Sequence, residues 1–412
     1  MTSVCLYFKV HQPYRLKEYS MKGVDLSYCY ADVAADKASI DFLADHSYLP
    51  ANKIIHEQLL SQQGKFRVSY SISGTALELL QKHRPDVIAS FRELVNTGYV
   101  EILAETYYHS LSSLHSRKEF QRQIHKHRTL VKELFGIQPL VFRNTELIHN
   151  NAIAGDIAGM GLQGILCEGV KRILNERTPN KVYAVPGRED IRLLLRNAQL
   201  SDDIAFRFDD VNWNEHPLTA EKFAEWLHAH PEDTTVINLM MDYETFGIHK
   251  KAGNGIFDFL HALPSAVLTN DDLTFSTPAA ILKKNIPGDA YDVPATVSWE
   301  NNTTTACVWC DNMRQNNTLK KIYSIGDMVL NCGNEKAIDM WGRLQSADYF
   351  YYMSEESCKR MAYQYHNPFS TPEEAFKNYS NIVADLEIAL IENEIRRRKR
   401  TPSKASFINT IL

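Results

Sequence analysis

Three acidic motifs stand where apolar stretches of the chain give way to polar ones. They are Tyr99-Val100-Glu101-Ile102-Leu103-Ala104-Glu105, Arg143-Asn144-Thr145-Glu146 and Met241-Asp242-Tyr243-Glu244. Histidine accompanies them: His11-Gln12-Pro13 follows the first apolar stretch, and His109 lies four positions past Glu105. Carboxyl groups beside histidines are the materials of general acid-base chemistry. Cleavage of a glycosidic bond needs one carboxyl group that protonates the leaving oxygen and one carboxylate that attacks or activates water. Glu146 and Asp242 suit that pair, and Glu101, Glu105 and Glu244 compete for the same roles. Glu146 and Asp242 are far apart in sequence, so only a fold that gathers strand ends makes them partners.

The two roles make opposite electrostatic demands. Glu146 has to be ionised, and an inward-pointing Arg143 would hold it so by charge. Asp242 has to start protonated, which an apolar strand with Met240 and Met241, together with a neighbouring Glu244, would favour. Sugar rings also need π faces, and Trp213, Trp299, Trp309 and Tyr349 are candidates, although the large area of such side chains favours core or interface packing for each. His11 and His109 can bond sugar hydroxyls. None of the 15 histidines stands four residues from another, so no pair shares a helix face for zinc, which argues against a metal-dependent deacetylase. We expect no metal and no cofactor.

The elements that must carry these residues follow from apolar patterning. Val236 to Met241 is a short apolar run that ends in turn chemistry, the pattern of a strand buried on both faces in a parallel sheet. Val4–Val10, Phe66–Ser73, Tyr99–Leu103, Leu140–Phe142, Gly161–Leu166, Leu193–Leu195 and Ile204–Phe208 read as further strands. Helices alternate with them. Ser116 with Glu119 forms a capping signature for a helix that Gly136 stops, and Thr219 caps another. His125 and His127 on the first of these point to different sides. The alternation predicts a parallel α/β sheet or barrel, in which ligands gather at the carboxyl ends of the strands. After about Asn270 the alternation fades and Pro278, Pro287 and Pro294 punctuate the chain. Thr371-Pro372 then opens a last helix with Phe376, Tyr379, Val383, Leu386 and Leu390 on one face.

Composition narrows the class. The chain has 412 residues, 44% of them hydrophobic, enough for a full core and more than one compact unit. A net charge of −5 supplies no field to attract nucleic acid or an anionic membrane. The basic run Arg396–Arg400 suits the carboxyl end of a helix. Seven scattered cysteines argue for a reducing compartment, and Cys307-x-x-Cys310 lacks the second pair a closed zinc site requires. The amino terminus lacks a basic leader and breaks its apolar run at Lys9, so no signal peptide is visible and a cytoplasmic location is expected.

Five segments in order resemble the sequence regions of glycoside hydrolase family 57, in its α-amylase branch: His11-Gln12-Pro13, Gly98-Tyr-Val-Glu101-Ile-Leu, Arg143-Asn-Thr-Glu146-Leu, Met241-Asp242-Tyr-Glu244-Thr-Phe-Gly247 and Leu344-Gln-Ser-Ala-Asp348-Tyr349-Phe-Tyr-Tyr-Met353. The loop Ser201–Phe208 is similar to that branch as well. The resemblance implies an incomplete (β/α)7 barrel over residues 1–280, then a mainly helical domain over 281–412 that completes the active site. It implies a retaining mechanism on α-glucans or maltooligosaccharides, with Glu146 as nucleophile and Asp242 as acid/base. It places His11, Glu101 and Asp348 around the substrate. Gln12, His109, Arg143, Glu244, Trp299 and Tyr349 complete the expected binding set. Tyr349 stands where the branch pattern has histidine, an exchange that removes a possible donor or cation. A 4-α-glucanotransferase and a non-catalytic glucan-binding protein are the competing readings.

Overall fold

The computed structural model describes residues 1–20, 23–24, 26–300, 308–355 and 367–400, with side chains to 398. Its chain divides into two compact units: Met1–Pro13 with Val33–Cys307, and Tyr14–Asp32 with Val308–Leu412. The sequence placed one boundary at 280/281. The observed division lies later, and the segment 14–32 joins the second unit because its partners are there. Asn378 Oδ1 accepts from the Tyr19 amide at 2.6 Å, and the Tyr30 hydroxyl donates to Asp385 at 2.6 Å.

Among its described residues the first unit is built on ten strands: β1 (Thr2–Val10), β2 (Val68–Ile72), β3 (Val100–Ile102), β4 (Val141–Arg143), β5 (Gly164–Glu168), β6 (Val182–Val185), β7 (Arg188–Arg196), β8 (Val236–Asp242), β9 (Leu273–Phe275) and β10 (Asp289–Ala290). Seven of them, β1, β2, β3, β4, β5, β7 and β8, form a parallel ring. Ladders join β8 to β1, β1 to β2, β2 to β3, β4 to β5, and β5 to β7. Two seams close it, each one pair wide: Ala104 with Phe142 after β3, and Arg196 with Asn238 between β7 and β8. This is the expected incomplete (β/α)7 barrel. β6 runs antiparallel to β7, β10 follows β6, and β9 pairs with the start of β1.

Every residue of β1 is buried, as a strand covered on both faces demands. The period of two along each strand then sorts the barrel interior into columns. Cys5, Tyr7 and Lys9 share one face of β1, and Met240 and Asp242 share one face of β8. In the same way Val141 leads to Arg143, Leu166 to Glu168, and Leu194 to Arg196. The apolar members Cys5, Tyr7, Leu103, Val141, Leu166, Leu194 and Met240 belong to one core cluster. The charged members sit one step further along, so the apolar plug of the barrel is capped by ionisable groups at the carboxyl ends.

Several local expectations hold. Ser116 accepts from the Glu119 amide at the start of helix Arg117–Phe135, and Gly136, at φ 72°, ends it. His127 is buried on that helix and His125 is exposed. Ile204 to Phe208 is not a strand: Ile204 lies in helix Ala198–Ala205, which Asn197 caps by accepting from the Leu200 amide. That cap outweighs the β-leaning composition of the run. In the second unit, helix Pro372–Arg400 buries Tyr379, Val383, Leu386 and Leu390. Trp341 is buried there and donates its indole N–H to the Ile322 carbonyl at 2.8 Å. Among the described residues no helix is long and apolar enough to cross a membrane.

Candidate active site

Glu146 follows β4 in a tight turn, Thr145–Leu147, that holds the backbone in the left-handed region at Glu146 (φ 53°) and Leu147 (φ 52°). Such a conformation costs about 1–2 kcal/mol per non-glycine residue. It persists because the surroundings over-determine it. Leu147 is sunk in the barrel core, Asn144 donates to the Ile148 carbonyl at 2.8 Å, and the Thr145 and Thr106 hydroxyls bond at 2.7 Å. The result aims the Glu146 carboxylate at three donors. Oε1 accepts from His109 Nε2 at 2.7 Å and lies 3.6 Å from Lys9 Nζ. Oε2 accepts from the Trp299 indole at 2.6 Å. Burial alone would raise this carboxyl, but Lys9, then His109 and Arg143, hold it well below the usual range.

His109 is itself in the left-handed region (φ 51°) and links two carboxylates, with Nδ1 3.3 Å from Glu105 Oε2. Burial disfavours its charge, yet its hydrogen bonds to Glu105 and Glu146 and the charges of both raise its pKa. Ser71 donates to the other Glu105 oxygen at 3.1 Å. His11 stacks on His109 with ring centres 3.9 Å apart and shares a 2.7 Å hydrogen bond with Ser73.

Asp242 ends β8 directly across from Lys9, its register partner on β1. Lys9 Nζ lies 3.0 Å from Asp242 Oδ1. Because that ammonium touches both carboxylates, its two distances bound the separation of Glu146 Oε1 and Asp242 Oδ1 at about 6.6 Å. Asp242 keeps 31% of its side chain exposed against 6% for Glu146. Burial and the Glu146 charge push its carboxyl up, but Lys9, aided by His249, brings it below the usual range. The sequence anticipated a raised value here. The raised group is Glu244, pushed to about 7 by burial and by the Asp242 charge. Tyr48, presented by the π-helical turn Ala44–Tyr48, donates to Glu244 Oε1, and Gln12 donates to it at 3.2 Å. Gly247 lets the two loops meet, since a Cβ there would stand 1.9 Å from the His46 carbonyl oxygen.

The structure therefore brings Glu146, Asp242, His11, Gln12, His109, Arg143, Glu244 and Trp299 to one end of the barrel, and it alters several of their roles. His109 spends both nitrogens on carboxylates, and Trp299 spends its indole N–H on Glu146. Arg143 is fully buried with no hydrogen-bond partner among the described residues, and it acts by charge. Glu101 is not at this end. It stands four residues before Glu105 along the same strand direction, roughly 13 Å lower. There it accepts from the Ala279 amide at 2.9 Å, and burial pushes it to about 7. Asp348 and Tyr349 belong to the second unit. Ser346 donates to Asp348 at 2.6 Å, and the buried Tyr349 donates its hydroxyl to the Tyr14 carbonyl at 2.5 Å. Trp309 is buried in that unit, and Trp213 packs edge-on against Trp226. Cys307 lies outside the described residues. Sequence reasoning missed Lys9, although a lone lysine inside a nine-residue buried strand was its signal.

A glutamate and an aspartate share one cation at the carboxyl ends of a parallel (β/α)7 barrel, and the family match makes this protein a glycoside hydrolase enzyme. More narrowly, the chain belongs to glycosyl hydrolase family 57, whose model matches residues 5–294. It is 38% identical over 398 residues, 93% of this chain and 84% of the relative, to a Methanocaldococcus jannaschii protein provisionally named alpha-amylase. Its fold is similar to a family 57 branching enzyme from Thermococcus kodakaraensis, with TM-score 0.70 and 14% identity over 97% of this chain and 92% of that one. It is also similar to the 4-alpha-glucanotransferase of Thermococcus litoralis, with TM-score 0.66 and 16% identity over 85% of this chain. The match spans 56% of that longer enzyme.

Proposed function

We propose that this enzyme cleaves α-glucans and maltooligosaccharides with retention of configuration, in the manner of an α-amylase, through Glu146 as nucleophile and Asp242 as acid/base. The observation that carries the reading is the shared ammonium of Lys9, which keeps the two carboxylates within about 6.6 Å. Direct attack on the anomeric carbon needs a separation of about 5–5.5 Å, whereas room for an intervening water needs about 6.5–9.5 Å. The bound therefore favours retention. In the first half-reaction Glu146 attacks the anomeric carbon as the glycosidic C–O bond breaks, and Asp242 gives its proton to the leaving oxygen. In the second, Asp242 takes a proton from the incoming hydroxyl, whose oxygen displaces Glu146.

Water as that hydroxyl gives hydrolysis, and an acceptor sugar gives transfer. The similarity to a 4-alpha-glucanotransferase and a branching enzyme keeps transfer as the second reading. Incubation with a maltooligosaccharide series separates them: shorter products alone mean hydrolysis, and products longer than the substrate mean transfer. NMR of the fresh product should show the α anomer. A β anomer refutes retention, and the absence of new reducing ends or new chain lengths would mean a glucan-binding protein.

A further inference from the structure

We propose that Lys9 is a positioning residue of the reaction: its ammonium stands between the nucleophile and the acid/base and faces the one negative charge whichever of them holds it. The inference rests on the assignment of Glu146 and Asp242 above and adds a third group to it.

The argument begins with placement. Lys9 is the single lysine of β1, and its position on the inward column after Cys5 and Tyr7 directs it into the barrel mouth. Its side chain is 9% exposed, so its charge has to be matched inside the protein. The match is two carboxylates, Asp242 at 3.0 Å from β8 and Glu146 at 3.6 Å from the turn after β4. Arg143 on β4 faces the same group and opposes its charge. Asp242 is faced in addition by His249 and by Glu244 from the loop that follows β8. Glu146 is faced in addition by His109 and Arg143.

A retaining cycle moves charge across this group. Before the first step Glu146 is a carboxylate and Asp242 carries the proton. When the glycosyl bond to Glu146 forms and the glycosidic C–O bond breaks, the proton leaves with the departing sugar. Glu146 is then a neutral ester and Asp242 a carboxylate. The second step reverses both changes. In each state one of the two is charged, and the ammonium is within reach of either. A fixed cation between the two sites lowers the barrier to passing charge from one to the other, because neither end is left uncompensated in a poorly solvated site. The same cation sets the working pH. It favours ionised Glu146, which the first step needs, and it opposes protonated Asp242, which that step also needs. Removing it should move both ionisations up, and with them both limbs of the bell-shaped pH profile.

The test is Lys9→Met, which keeps the stem without the charge, beside Lys9→Arg, which keeps the charge. Both would be assayed on maltoheptaose from pH 4 to 9, after circular dichroism and melting curves verify folding. Lys9→Met should lose about 10²–10³-fold in kcat, with its optimum displaced by a pH unit or more toward alkali. Lys9→Arg should recover most of the rate and restore the optimum. A Lys9→Met profile that superimposes on the wild type after scaling would overturn the proposal, because a merely structural lysine would lower the rate at every pH alike. If Lys9→Met does not fold, a folded Lys9→Arg variant that keeps the charge yet loses about 10²-fold or more in kcat would overturn it too. Glu146→Gln and Asp242→Asn run in parallel keep the two readings apart. If these remain active, the catalytic assignment itself fails; if they are inactive while Lys9→Met keeps the wild-type profile, the role of Lys9 alone fails.

Discussion

The ends of β4 and β8 carry the two carboxylates of the site and hold them in opposite ways. At β4 the chain turns through two left-handed residues, both oxygens of Glu146 are occupied by donors, and its side chain is 6% exposed. At β8 Asp242 keeps an ordinary extended backbone (φ −65°, ψ 139°), and its side chain is 31% exposed. The difference matches what the two proposed roles ask. A nucleophile benefits from being fixed in place and kept ionised, so strain and donors concentrate on it. An acid/base must exchange its proton with the leaving group and with the incoming hydroxyl, so it stays reachable. Lys9 is common to both ends.

Breaking the β4 end should have the largest effect. Glu146→Gln keeps the shape and the Trp299 bond but removes the attacking charge, and we expect kcat on maltoheptaose to fall by about 10⁴-fold or more. Glu146→Ala should regain turnover of an activated α-glucosyl donor when azide is added, and the product should be the β-azide. An α-azide would move the nucleophile to another residue.

Asp242→Asn should come next, with a loss of about 10²–10⁴-fold on unactivated glucan. The loss should shrink on a donor whose leaving group needs no proton, and azide should then give the α-azide, since it takes the place of the incoming hydroxyl. Equal losses on both donors would remove Asp242 from proton transfer. A smaller effect tests the rigidity of the β4 end. His109→Phe keeps the stack on His11 while deleting the link between Glu105 and Glu146. We expect kcat to drop about 10–100-fold with KM little changed, because the histidine is bonded to Glu146, the proposed nucleophile. A rise in KM at constant kcat would return His109 to the binding set.

The two ends also differ in how legible they were. The strand that delivers Asp242 announced itself through an apolar run, and the pairing with Glu146 followed once a parallel barrel was expected. The choice between Glu101 and Glu105 was not visible, because Glu101 lies on β3 and Glu105 three residues past its end, and only their height in the barrel separates them. Height depends on register, which Ser69 opposite Glu101 fixes in the fold and no local pattern reports. Lys9 was in view as the residue that interrupts an apolar stretch. Its meaning depends on facing Asp242, 233 positions along the chain and adjacent only through the β1–β8 ladder. The helix at Ile204 was hidden for a related reason: its Asn197 cap is a stronger local signal than the composition of the run it begins. The allegiance of residues 14–32 to the second unit rests on partners such as Asn378 and Asp385, which no pattern near the amino terminus could reveal.

The smallest predicted effect concerns the third carboxyl of the β8 end. Burial and the charge of Asp242 push Glu244 from an ordinary value of 4.5 to about 7, against the opposing hydrogen bond from Tyr48. Its folded value is above its unfolded one, so between those limits the folded state holds a proton that the unfolded chain has released. Stability attributable to this group therefore declines as pH rises from about 4.5 to about 7 and is fully lost above that. Glu244→Gln has nearly the shape of the protonated side chain and still accepts from Tyr48, so at pH 4.5 the variant should match the wild type. At pH 8 it should be the more stable by up to about 3 kcal/mol, which chemical denaturation at the two pH values can read. Glu101 and Glu168, also pushed to about 7, titrate in both proteins and cancel from the difference. Parallel stability curves for the two proteins would mean that Glu244 is ionised throughout, and Asp242 would then face a permanent second negative charge that Lys9 alone does not offset.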